Sequence, residues 1–454
     1  MNYQKIIDQQ RTFFNSHTTK QISFRIQELK RLKKLLKKNE NLLYEAIYHD
    51  FKKSEFETYT TELSIIYEDI DLAIKHVKKW ARRQKVSTSL VNLPGKSYIM
   101  PEPYGTVLVI GAWNYPFQLS LCPAIAAIAA GCTVVLKPSE IPARTSAIMA
   151  QLIHQNFNSD FFTVIEGGEE ETTNLLKIKF DKIFFTGSVP VGKIIYQAAA
   201  KHLTPVTLEL GGKSPAIISE DVNIDMTAKR LVWAKFLNAG QTCIAPDYVM
   251  VHSSIKNDVL ASIKKHIERS DYRIDNHNYT QIINDKNFDR LNHLIDPDKV
   301  YIGGKGNKEE RIITPTVLDA IDFEDEIMKD EIFGPILPVI SFESIDDAIQ
   351  KIKKLPRPLS CYAFTKSRHT REKILREISF GGGAVNDAVM HFTEQSLPFG
   401  GIGESGIGNY HGKFGFEAFS HYKSILQKPF WIELPLKYSP YSTTKLNWIK
   451  RIMG

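Results

Sequence analysis

The 454-residue chain predicts an α/β protein: a parallel sheet covered by helices, followed by a second α/β unit and joined by a small β arm. Three observations predict this. From Gly105 to Lys201 short apolar β-type runs alternate with helical stretches, the pattern of repeated βα units. After Glu209 a second series of the same kind begins and runs to about Phe419. Between them in character, but early in the chain, Ser87 to Met100 shows β alternation around Leu93-Pro94-Gly95, a turn signal that predicts a projecting hairpin. The expected division is 1–84 with 103–208 as a first domain and 209–419 as a second. Residues 85–102 with 420–435 form the arm, and 436–454 the tail.

In chain order, Ile22 to Gln84 carries charge at helical spacing and predicts two or three amphipathic helices. The strand Gly105–Ile110 follows, then a loop, then an Ala-rich helix expected to begin at Pro123, since proline suits a first helical turn. Further strands are expected at Thr133–Lys137, Phe162–Ile165 and Lys182–Thr186, with helices near Ala143–Phe157 and Val191–Lys201. In the second unit the strands Ala216–Ile218, Tyr248–Val251 and Cys361–Phe364 surround a helix over Asp225–Leu237. The segment from His421 onward reads as irregular.

The formal charge of +7 is modest for this length, and the run Lys30–Lys38 alternates with leucine as a solvated helix face does; nucleic-acid binding is not expected. The four cysteines, Cys122, Cys132, Cys243 and Cys361, have no metal-site or C-x-x-C spacing, which suits free thiols in a reducing cytoplasm. No metal site is expected. The N-terminus lacks the apolar core of a signal peptide. Pro103 to Leu136 contains no charge and is long enough to span a membrane, but Gly105, Gly111, Asn114, Pro116, Pro123 and Gly131 divide it into strand, loop and helix. It reads as the buried centre of an α/β unit.

Cys243 lies in Phe236–Pro246, a stretch of small and amide residues without charge. Glu209 is a lone carboxylate in the apolar, glycine-bounded segment Leu208–Lys213. A thiol nucleophile and a desolvated carboxylate base are the parts needed to form and then hydrolyse a thioester. Asn114, in the uncharged loop after a strand end, suits an oxyanion donor and reads equally as a structural amide. Lys137-Pro138-Ser139-Glu140 ends a strand where α/β sheets bind ligands, so Lys137 and Glu140 suit a ribose; a surface turn is the alternative. Glu331 and Phe333 suit a ribose and a nicotinamide ring, or a turn. Gly187-Ser188-Val189-Pro190-Val191-Gly192-Lys193 opens a helix after a strand, but Ile194 stands where a P-loop needs Ser or Thr for magnesium. Gly401–Gly406 has the form G-x-G-x-x-G without a preceding strand or following helix, and reads as a tight structural loop.

Together these segments resemble the aldehyde dehydrogenases along nearly the whole chain. The resemblance rests on the Trp113-Asn114 loop, Lys137–Glu140, Phe184–Ser188, Leu208–Lys213, Gly240–Cys243, Glu331–Pro335 and Pro398–Gly403, in that order. The short N-terminus, Tyr410–Lys413 and Leu436–Tyr441 are most similar to the class 3 branch, which includes fatty aldehyde dehydrogenases; the branch has proline where Ser439 stands. The resemblance implies a Rossmann-like cofactor domain, a catalytic domain and an oligomerisation arm. It implies NAD(P)-dependent oxidation of an aldehyde to its acid, with Cys243 as nucleophile, Glu209 activating water and Asn114 holding the oxyanion. Trp113, Lys137, Glu140, Gly187, Ser188, Gly192, Leu210, Glu331 and Phe333 are the implied cofactor contacts. NAD is favoured, with NADP also accepted, because Glu140 would repel a 2′-phosphate. Medium- or long-chain aliphatic aldehydes, or aromatic ones, are the implied substrates; transfer of the acyl group to coenzyme A is the alternative. A cytoplasmic homodimer is implied. Residues 421–454 carry six Lys and Arg residues against Glu433, with Phe430, Trp431, Tyr438, Tyr441 and Trp448 among them. Such a tail lies on an anionic membrane surface, packs on a partner subunit or caps the substrate funnel.

Overall fold

The computed structural model describes residues 2–453. A six-stranded sheet forms the first layer, with Gly406–Ile407, Val206–Glu209, Lys182–Thr186, Thr106–Ile110, Thr133–Lys137 and Phe162–Val164 side by side. All but the edge strand Gly406–Ile407 are parallel. The sheet starts in its middle, at Thr106–Ile110, and grows first to one side and then to the other. That reversal is the topological switch point of doubly wound folds, where ligands bind beyond the strands' carboxyl ends.

Every residue of Thr106–Ile110 and Thr133–Lys137 is buried, as strands covered on both faces require. The charge-free stretch therefore lies inside the protein. Among the described residues, no helix is long and apolar enough to cross a membrane. The basic run falls on the helix Ile22–Lys38, whose Leu29, Leu32 and Leu36 are buried while Lys30, Lys34, Lys37 and Lys38 face solvent. An unexpected helix, Tyr3–Asn15, precedes it; Gln10 Nε2 donates to Val134 O and Ser159 O, each at 3.0 Å, and ties it to the sheet.

The helix expected from Pro123 starts earlier and runs Pro116–Ala130, with Pro123 inside it. Pro116 takes the first helical turn, where a missing N–H costs nothing. Pro123 forfeits one helical hydrogen bond, but nearly all of this helix is buried, and packing outweighs the local preference.

The second layer is a seven-stranded sheet ordered Val300–Ile302, Thr316–Leu318, Ile336–Phe342, Tyr248–His252, Pro215–Ile218, Ser360–Phe364 and Gly382–Val385. It is parallel apart from Val300–Ile302. Cys122, Cys132 and Cys361 are buried in the cores of these layers as free thiols. A third, antiparallel sheet joins Gln84–Val86, Lys96–Pro103 and Ser420–Gln427. The tail, expected to be irregular, forms the helix Thr443–Met453. Its Ile449 and Ile452 line a small apolar groove with Leu90, Val91 and Leu93 of the arm, and this contact supplies the order that composition concealed.

Candidate active site

The loop carrying Cys243 follows the helix Ile224–Phe236 and turns through two left-handed residues, Asn238 (φ 52°) and Ala239 (φ 50°). Such backbone persists only where its surroundings impose it. Here hydrogen bonds do so. Asn238 N–H donates to Glu57 Oε1 at 2.7 Å, and Asn238 Nδ2 to Asn114 O at 2.9 Å and Gln241 O at 3.1 Å. Gln241 Nε2 donates to Asn238 O and Gln281 O, while its Oε1 accepts from Ile283 N–H at 3.0 Å. Asn114 Nδ2 donates to Gln241 O at 3.0 Å, which brings the Asn114 loop against the Cys243 loop. A primary amide has two N–H groups, so Asn114 keeps a second donor for a ligand.

Glu209 ends the strand Val206–Glu209, in register with Thr186 on one side and Gly406 on the other. Its carboxylate is 3% exposed and neither oxygen has a hydrogen-bond partner. Burial drives its pKa well above the ordinary carboxylate range. Glu209 and Cys243 line one cavity of about 580 Å³. Burial, then the nearby Glu331 and Glu209, push the Cys243 thiol up to about 12, while its own N–H and that of Ile244 favour the thiolate. At neutral pH Cys243 thus rests as a thiol, and positive charge placed beside it would favour the thiolate.

The Glu331–Phe333 loop is clamped from three sides. Asp247 Oδ1 accepts from Ile332 N–H at 2.9 Å, Arg290 donates to Ile332 O at 2.7 Å, and Lys213 Nζ lies 2.5 Å from Asp247 Oδ2. Gly211 makes room for the Glu331 carboxylate; a Cβ there would come within 2.0 Å of Glu331 Oε2. Burial and Asp247 raise Glu331 to about 8, against the pull of Gly212 N–H, Lys213 and Arg290. Phe333 meets Trp113 edge to face, with centroids 5.4 Å apart.

At the neighbouring strand ends Gly192 packs on Leu210, which a Cβ would meet at 2.7 Å. Gly187 N–H donates to Glu209 O at 3.0 Å, and Ser188 stands at the N-terminal boundary of the helix Val189–Ala200 without a side-chain capping bond. Lys137 is buried, which lowers its pKa; its Nζ donates to Pro138 O at 2.8 Å and lies 3.6 Å from the half-exposed Glu140 carboxylate. These residues fit a dinucleotide: between them they offer a cation, two carboxylates, backbone amides at a helix start and an aromatic pair. Gly401–Gly406 serves structure. Gly406 pairs with Glu209, and Leu210 N–H donates to Ser405 O, bracing the strand that carries Glu209.

Several contributors carry no motif of their own. Glu57 and Asp247 act through backbone hydrogen bonds from distant segments. The mouth of the cavity is lined by Phe56, Ile65, Leu119, Trp233, Leu237 and Met390. Phe56, Trp233 and Met390 are 79%, 42% and 42% exposed, so large apolar side chains facing outward were the available signal.

Comparison with known proteins agrees with this geometry. The model of the Aldehyde dehydrogenase family matches residues 1–425. The chain is 45% identical to 4,4'-diaponeurosporen-aldehyde dehydrogenase of Staphylococcus aureus, over 98% of each chain. It is 43% identical to the dimeric NADP-preferring aldehyde dehydrogenase of Mus musculus, over 94% of each. The solved substrate-bound state of Staphylococcus aureus AldH superposes with a TM-score of 0.98 at 44% identity, over 100% of both chains. With these matches across its length, the chain belongs to the aldehyde dehydrogenase family, enzymes that oxidise aldehydes to acids, with family 3 proteins among its relatives.

Proposed function

We propose that the protein oxidises medium- or long-chain apolar aldehydes through a covalent thioester on Cys243. Sγ gives up its proton to solvent and bonds to the carbonyl carbon, and the carbonyl oxygen becomes an oxyanion held by Asn114 Nδ2–H and Cys243 N–H. A bound NAD(P) would supply the hydride acceptor that lets this adduct become a thioester. Glu209 then takes a proton from water; the hydroxide adds to the thioester carbon, the C–S bond breaks, the acid leaves and the proton on Glu209 passes to the Sγ thiolate. The observation that carries this reading is an unpartnered, buried carboxylate sharing one cavity with Cys243, the one cysteine that is partly exposed among the described residues. The same carboxylate favours hydrolysis over transfer to coenzyme A. Free acid is the expected product with coenzyme A present; acyl-CoA would reverse the reading.

Trp113, Phe333, Glu331, Lys137, Glu140, Gly187, Ser188, Gly192 and Leu210 hold the dinucleotide in this proposal. Glu140, beside Lys137, favours the free 2′-hydroxyl of NAD. NADP is also accepted, in keeping with the NADP preference in the name of the mouse relative. The apolar mouth favours long substrates. Each buried methylene contributes about 0.8 kcal/mol, roughly fourfold in affinity. A steady-state series from acetaldehyde to decanal, read at the reduced nicotinamide, tests this. Efficiency rises with chain length, and Cys243→Ala loses activity on the order of 10⁴-fold or more. Equal efficiency with acetaldehyde, or full activity in Cys243→Ala, refutes the reading.

The arm supports a homodimer. Its edge strand Ser420–Gln427 has one free edge, and Leu90, Leu93 and Leu426 beside it are exposed. The tail helix belongs with this arm rather than with a membrane surface, because Ile449 and Ile452 are turned onto Leu90 and Val91. Light scattering gives a dimer in solution; a monomer counts against it.

A further inference from the structure

Lys53 and Glu62 are both fully buried, with Nζ 2.8 Å from Oε1. A buried ion pair is a poor source of stability, because desolvation opposes the attraction. Its neighbours are specific, however. Glu62 Oε2 accepts from the backbone N–H of Phe117 at 2.8 Å and of Gln118 at 3.2 Å. These amides open the helix Pro116–Ala130, which begins two residues after Asn114. A carboxylate there satisfies free N–H groups and complements the helix dipole. Lys53 Nζ lies 4.1 Å from the centroid of the Tyr115 ring. The Tyr115 hydroxyl in turn is 2.5 Å from Thr242 Oγ1, on the residue before Cys243. Glu62 itself sits in the π-helical turn Tyr59–Leu63, a distortion frequent at functional sites.

We propose that the Lys53–Glu62 pair is a positioning device for the reaction. It holds the start of the helix after Asn114 and the Tyr115 ring in place, and through the Tyr115–Thr242 contact it sets the Cys243 loop against the Asn114 loop. Neither residue touches substrate. The proposal rests on Cys243 as nucleophile and Asn114 as oxyanion donor.

The test is the double variant Lys53→Met, Glu62→Gln in the full-length protein. It replaces the pair by neutral side chains of similar size, since a single replacement strands a buried charge. The double variant keeps its circular dichroism spectrum, and its kcat falls about 10- to 100-fold, as small misplacements of reacting groups produce. The aldehyde KM changes by less than about threefold, and alkylation of Cys243 by iodoacetamide slows with kcat. Tyr115→Phe, which keeps the ion pair and removes the link to Thr242, moves kcat and alkylation the same way by a smaller factor. A folded double variant with both rates within about twofold of the parent overturns the proposal. If the double variant does not fold, unchanged rates in Tyr115→Phe overturn it. Cys243→Ala in the parent separates the two levels: activity surviving there refutes the underlying reading, whatever the ion-pair variants do.

Discussion

Asn114, Asn238 and Gln241 hold one another by hydrogen bonds beside Cys243, and Thr242 bonds to Tyr115, whereas Glu209, facing the same cavity, has no partner for either carboxylate oxygen. In the proposed reaction Cys243 is the nucleophile and Glu209 the base, and the nucleophile side is built for fixed geometry. Its left-handed turn and its buried amides place an oxyanion donor without reorganisation during reaction, which is where electrostatic catalysis gains most. The base side is built for reactivity. A carboxylate with satisfied oxygens would be a weaker base, and one with none is ready to bind water. The difference separates residues that must not move from a residue that must change protonation state.

The most severe break of this comparison is on the base side. Glu209→Gln leaves acylation intact and blocks hydrolysis, so a burst of about one reduced nicotinamide per subunit precedes turnover slowed roughly 10²–10⁴-fold. Stopped-flow absorbance measures both phases. The variant also gains stability with a defined pH sign. Burial holds the folded-state pKa of Glu209 above the unfolded value of about 4.5, so the folded protein binds this proton more tightly. The destabilisation by this group is absent below that pH and grows as pH rises towards the folded value. Thermal melts of Glu209→Gln therefore exceed the parent at pH 8, and the margin closes near pH 4.

Breaks on the fixed side are smaller and show no burst. Asn114→Ala removes one oxyanion donor and costs on the order of 10²-fold or more in kcat. Gln241→Ala acts one step further out. It deprives Gln281 O and Ile283 N–H of their partner and leaves Asn238 O with the Gln241 backbone N–H alone, costing about 1–3 kcal/mol of stability and roughly tenfold in kcat. A denaturant titration beside single-turnover kinetics checks both numbers. A burst in either variant would mean that the two sides of the cavity are not divided in this way.

How much of this was legible in the sequence follows the same division. Strands such as Thr106–Ile110 and Thr133–Lys137 announce themselves by unbroken apolar runs, because burial on both faces leaves no room for charge. Cys243, Glu209 and Lys137 stand out because each sits in a segment whose neighbours would not otherwise tolerate it. Pro123 misled because proline signals a helix start only when packing does not decide, and in Pro116–Ala130 packing decides. The tail helix Thr443–Met453 was hidden because the arm residues that order it lie some 350 residues away, around Leu90. Glu57 and the Lys53–Glu62 pair were hidden likewise, since periodicity reports a helix's own faces and not which distant loop its carboxylates reach.

The smallest break lies at Lys137 and Glu140, in the proposed dinucleotide site and outside both regions. Glu140 is about half exposed, so its charge acts through solvent and is worth about 0.2–1 kcal/mol. Glu140→Gln removes the repulsion of a 2′-phosphate while leaving Lys137 in place. The ratio of kcat/KM for NADP over NAD then rises about two- to fivefold, with kcat for either cofactor unchanged. The shift shrinks at high salt, as a screened surface charge requires. Lys137→Met, removing the buried cation, weakens both cofactors instead of exchanging them. A change in kcat on Glu140→Gln would show that this corner is coupled to the Cys243 loop, and the cofactor site could no longer be treated apart from the two sides of the cavity.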